Sequence, residues 1–199
     1  MCLQRPPPTK NVFKRDILSK ITSFHERELR KIALSKSETS MKYLNVSLLG
    51  LGGRLHPATT GVTTSHEVRK MRPHIKMLSG NYLTFEVKSS QSGGSDQCRL
   101  CFDDVESLKH LIAQCVQLED LRSRITTTLT NMLAQAEIAI NLSQFTSNEF
   151  TQFILDPSSM SLSRRVNIND PILPELFRIS RGFCYAIDKT RLANLAVSI

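Results

Sequence analysis

Apolar positions in this chain recur mainly at intervals of three and four, the pattern of a helical protein. Val12, Ile17, Ile21, Phe24, Leu29 and Ile32 return at loosely helical spacing, while Lys14, Arg15, Lys20, Arg27, Arg30 and Lys31 fill the other faces. Residues 11–34 are expected to form one long basic amphipathic helix, either solvated at the surface or lying along a nucleic acid. A second helix is expected from a Ser65 cap to Met77, with Val68, Met71, Ile75 and Leu78 as its apolar stripe and Pro73 as a kink. Leu118, Leu121, Ile125, Leu129, Met132, Ala136 and Ile140 give the strongest periodicity and predict a core-facing helix of about six turns. Thr146-Ser147-Asn148-Glu149 has the form of a capping box, opening a short helix with Phe150, Phe153 and Ile154 that Asp156-Pro157 ends. Asp170-Pro171 starts a last helix whose buried stripe is Ile172, Leu176, Ile179, Phe183 and Ile187.

The intervening stretches are polar. Pro6-Pro7-Pro8 keeps residues 1–10 extended and disordered. Residues 35–97 read as a loop-rich linker interrupted by the helix near 65–78. Gly50-Leu51-Gly52-Gly53 lacks a following Gly-Lys-Ser/Thr, so it predicts a tight turn and not a phosphate loop. Residues 81–87 alternate well enough for a short strand or extended segment, and Ser89 to Ser95 reads as flexible linker. The expected fold class is mainly α, with little β structure, helical segments surrounding a short knuckle at 98–115 and a helical region at 116–199.

That knuckle, Cys98-x2-Cys101-x8-His110-x4-Cys115, carries the chemistry. Three thiolates and one imidazole at these spacings can enclose one zinc ion tetrahedrally, and four protein ligands leave no position for a reactive water, so the ion would be structural. Cys98 and Cys101 suit a turn whose amides point at sulfur, and His110 and Cys115 would come from the helical turn after it. Val105, Leu108, Leu111 and Ile112 would cover the ion, with Asp103, Asp104 and Glu106 suited to the first turn of that helix and the Asp103-Asp104 pair facing the surface. The alternative is that unrelated cysteines and a surface histidine fall in register without a metal. Cys2 and Cys184 stand apart and read as free thiols.

Charge is uneven. Residues 1–80 hold fifteen Lys and Arg against five Asp and Glu, whereas residues 81–199 hold eleven against thirteen. The basic half favours contact with phosphate backbones. Arg69, Lys70, Arg72, Lys76, Arg99 and Lys109 are the candidate phosphate contacts, and Tyr82 and Phe102 the candidate base-stacking partners. A solvated cationic face and two core aromatics are the plainer alternatives. No signal-peptide centre and no long apolar run is present, which favours an intracellular protein, nuclear or cytoplasmic, without a membrane.

Other polar clusters carry no reaction. Phe102-Asp103-Asp104 departs from the aromatic-x-Asp-Asp pattern of polymerase metal sites, and His66-Glu67 with His74 fails the His-Glu-x-x-His spacing and reads as exposed helix.

The knuckle resembles the cysteine-histidine motif at the carboxyl end of reverse transcriptases from LINE-type, non-LTR retrotransposons. Met41-Lys42-Tyr43-Leu44-Asn45, His56-Pro57, the stretch Val68 to Tyr82 with its Arg72-Pro73-His74, and Arg181-Gly182-Phe183-Cys184-Tyr185 are similar to segments flanking that motif. The resemblance covers most of residues 41–192. It implies a segment that follows the polymerase thumb, binds RNA or DNA during target-primed reverse transcription, and packs on an upstream reverse transcriptase domain. Endonuclease motifs and polymerase aspartates are absent from this sequence, so the resemblance implies a non-catalytic part. An interaction segment with no nucleic-acid affinity of its own, or the relic of an element, would look the same.

Overall fold

In the computed structural model, residues 10–34, 43–44, 56–159 and 172–197 are described. The expected disordered amino terminus, the Gly50–Gly53 turn and the polar loop before Asn169 lie outside these residues. The described residues are mainly helical. Six helices appear among them: α1 (Lys10–Leu34), α2 (Ser65–Leu78), α3 (Phe85–Ser92), α4 (Glu119–Gln135), α5 (Ser147–Leu155) and α6 (Ile172–Val197).

The long last helix organises the core. Leu173, Leu176, Phe177, Ser180, Phe183, Cys184, Ile187 and Arg191 of α6 are buried at steps of one, three and four, forming one continuous stripe. Against it α2 packs most extensively, and α4, α5 and the metal segment also touch it. Met77 and Leu78 of α2, Leu129 and Leu133 of α4, and Phe153, Ile154 and Leu155 of α5 complete a single apolar cluster that also contains Cys98 and Cys115. The metal segment is thus a wall of the core and not an appendage.

Local chemistry explains the boundaries. The capping box of α5 forms as expected, with Thr146 and Glu149 satisfying each other's backbone amides. Helix α2 is capped by Thr64, whose hydroxyl accepts from the Glu67 amide, and not by Ser65, which lies inside the first turn. Its end is a Schellman turn: Gly80 has φ +73°, its amide donates to Met77 and that of Asn81 to Lys76.

Three expectations are corrected. Residues 85–92 are helical, not strand or flexible linker, because Thr84 caps the Val87 amide and Glu86 sits in the first turn where the helix dipole favours it. The expected six-turn helix stops at Gln135: Glu137 turns left-handed at φ +58°, and the Ile138 amide reaches back to Leu133 at 2.9 Å. This is a second Schellman turn without glycine, and it folds Ile138 and Ile140 back onto the core. His74 is not an exposed helix residue but fully buried, its Nε2 donating to the Leu155 carbonyl at 2.9 Å. The sole trace of β pairing among the described residues is the antiparallel bridge between Gln97 and Val105.

Candidate metal centre

Cys98, Cys101, His110 and Cys115 converge, with one ligand atom from each lying within 4.8 Å of all the others. They form a group that could hold a metal ion. Cys98 Sγ is 3.9 Å from Cys115 Sγ, and Cys101 Sγ is 3.3 Å from His110 Nε2. Cys98, His110 and Cys115 are buried, and Cys101 is half-buried.

Two backbone devices build this geometry. The Gln97–Val105 bridge and the Cys98 amide donating to Asp104 O at 2.8 Å close a loop around the first two cysteines. Within it the Phe102 amide donates to Cys98 O at 2.9 Å, and Phe102 itself takes φ +61°. The second device is a π-helical turn over His110–Gln114, closed by the Cys115 amide donating to His110 O at 2.7 Å. On an α-helix, side chains five apart diverge by about 140°, whereas the wider π turn reduces this to about 50°. The π turn therefore lets a His-x4-Cys pair face one ion. Ser107 Oγ accepts from the His110 amide at 3.0 Å, and Arg122 Nη2 donates to Cys115 O at 2.8 Å, fixing both ends.

Burial disfavours the thiolate forms in this cluster, a cost that a bound cation would offset. Burial pushes the Cys98 thiol up, although the Cys101 and Leu100 amides aimed at its sulfur oppose this. Burial likewise pushes the Cys115 thiol up to about 12, against the Gln117 amide. His110 Nδ1 is buried without a hydrogen-bond partner, and the nearest carboxylate oxygen, Asp104 Oδ2, stands 3.5 Å away. That is the position from which a carboxylate orients a metal-bound imidazole. Leu111 and Ile112 are fully buried behind the cluster and Leu108 partly so, while Val105 is exposed.

Glu106 is the residue that reading the sequence missed. Expected only as an acid of a helix's first turn, it is fully buried: its Oε1 lies 2.7 Å from Arg191 Nη2 and accepts from the Phe85 amide at 2.9 Å. Its partner lies in the last helix, so no local signal could have singled it out. Asp103 and Asp104 are exposed as expected.

The candidate nucleic-acid contacts divide. Arg69, Arg72 and Lys76 are exposed at i, i+3 and i+7 of α2, so they share one row. Lys70 is half-buried and leans on Glu67 at 3.4 Å. Arg99 is exposed in the first metal turn, and Lys109 is half-buried. Phe102 is 55% exposed on the same turn. Tyr82 is no platform: its ring is buried, its hydroxyl donates to Asp188 Oδ1 at 2.9 Å, and Arg191 covers it at 5.4 Å from the ring centre. Stacking of a base on Tyr82 is therefore ruled out by burial.

No protein-family model, curated protein or solved structure matches the chain. No described helix is long and apolar enough to cross a membrane.

Proposed function

We propose that this chain is a zinc-stabilised helical module that binds the backbone of RNA or DNA and catalyses nothing itself. The observation that carries the binding role is the exposed row Arg69, Arg72 and Lys76 on α2, on a helix whose other face is held against α6. Cations fixed on a packed helix meet successive phosphates at low entropic cost, and each phosphate neutralised releases counterions. Zinc is supported by the donor set. Three sulfurs and one nitrogen around a tetrahedral zinc lie about 3.5 to 3.8 Å apart, and the 3.9 and 3.3 Å separations fall on either side of that. Complete protein ligation assigns the ion a structural task. The sequence resemblance to the end of LINE-type reverse transcriptases agrees with this reading and would set the module beside a polymerase domain.

The test is titration of a labelled single-stranded oligonucleotide at several salt concentrations. Wild type should show a steep inverse salt dependence, and Arg69→Gln/Arg72→Gln/Lys76→Gln should bind about tenfold or more weakly, with a slope flatter by about 2. Salt-insensitive binding, or an unchanged triple variant, would overturn the proposal.

One observation favours a second reading. Phe13, Ile17, Leu18 and Ile21 of α1 are exposed, Phe13 to 56%, as on a segment made to pack on another protein. On that reading the chain binds no oligonucleotide even at low salt.

A further inference from the structure

Phe85 opens α3 directly beside the metal segment, and three cations surround its half-buried ring. Lys88 Nζ lies 5.1 Å from the ring centre, and the guanidinium carbons of Arg99 and Arg191 each lie 5.3 Å away. Arg191 is neutralised by Glu106 at 2.7 Å. Lys88 and Arg99 are exposed, and neither has a carboxylate within 4.0 Å among the described residues. Two uncompensated cations are thus gathered on one ring, within about 10 Å of each other. The ring's negative face offsets only part of their repulsion, and the phosphates of a bound strand would supply the missing counter-charge.

Both cations are held through the segment 98–115. Lys88 stands on α3, which is tied to Glu106 through the Phe85 amide at 2.9 Å and the Glu86 amide at 3.3 Å. Arg99 stands inside the Cys98–Cys101 turn, so its backbone would be positioned by the two sulfurs once they hold an ion. Metal binding therefore frames both halves of the pair, Arg99 through its own turn and Lys88 through Glu106.

We infer that Lys88, Phe85 and Arg99 form a phosphate clamp for a single nucleic-acid strand, framed on both sides by the metal-bound segment. This rests on the zinc-stabilised, nucleic-acid-binding reading above and extends it to a second contact region, where the metal acts on affinity as well as on folding. The Phe85 ring serves to hold the cations and not to stack a base, since three charged groups already crowd it.

The experiment uses the full, zinc-loaded chain and a fluorescein-labelled 20-nucleotide single strand, with helix content followed by circular dichroism. Lys88→Gln/Arg99→Gln changes two exposed side chains and should keep the fold. It should lower affinity about tenfold at 0.1 M salt and flatten the slope of log K against log salt by about 1.4. Removing zinc with a chelator should weaken wild-type binding and lower the helix signal together. An unchanged double variant would overturn the clamp. Wild-type binding that survives chelation unchanged, with the zinc shown to be removed, would overturn the metal's part in the clamp. If wild type binds and only the α2 triple variant weakens, this inference fails and the broader reading survives. If no form binds the strand, both fail.

Discussion

Glu106 and Arg191, 85 positions apart, form a buried ion pair at 2.7 Å that ties the metal segment to the last helix. Burial opposes the Arg191 charge, and the Glu106 carboxylate offsets this, leaving the guanidinium pKa raised. Arg191 also donates to the Leu83 carbonyl at 2.9 Å, so one guanidinium fixes the metal segment, the approach to α3 and α6 together.

Removing either partner strands a buried charge. Glu106→Ala and Arg191→Ala should each destabilise the protein by about 3 to 5 kcal/mol in urea unfolding, and the double variant should cost clearly less than the two added together. Additive losses would show that the pair does not act as a unit.

The metal cluster makes a stoichiometric claim. Protein purified without added metal should carry one zinc per chain by elemental analysis, and Cys98→Ser should lose it along with cooperative unfolding. Because Cys98 and Cys115 have raised thiol pKa values in the buried cluster, metal uptake at neutral pH should be accompanied by proton release. A folded wild type without metal would refute the site.

His74 makes stability depend on pH. Burial lowers its pKa from 6.5 to about 4, the Leu155 carbonyl opposes that, nearby Arg181 and His56 lower it further, and Asp156 raises it. The native state holds the ring neutral, whereas the unfolded chain takes up a proton near pH 6.5. The resulting stability is fully present above pH 6.5 and is lost as pH falls towards 4, by about 3 kcal/mol. His74→Gln should flatten that part of the stability profile, and an equal slope in both proteins would assign the effect to other groups.

Glu137 occupies the left-handed position ending α4, at φ +58°. Glu137→Gly should raise stability by up to about 1 kcal/mol, since the strain of a side chain there outweighs the extra freedom of glycine in the unfolded chain. A lower unfolding midpoint would show that the carboxylate contributes something the geometry does not reveal.

What the sequence determined by itself is local. The spacing of Cys98, Cys101, His110 and Cys115 was sufficient to name the metal group, because all four donors lie within one short segment and are brought together by its turns. The apolar stripes of α5 and α6 and the Thr146–Glu149 cap were legible for the same reason, since helical period and capping act over a few residues. Only the tertiary structure decided the rest. Glu106 looks like an acid of a helix's first turn and His74 like an exposed helix residue until Arg191 and Leu155, far along the chain, close over them. Tyr82 was turned from a candidate stacking surface into core by Asp188 and Arg191. A buried polar group is stable only where a distant partner completes its hydrogen bonds, and folding alone brings that partner near.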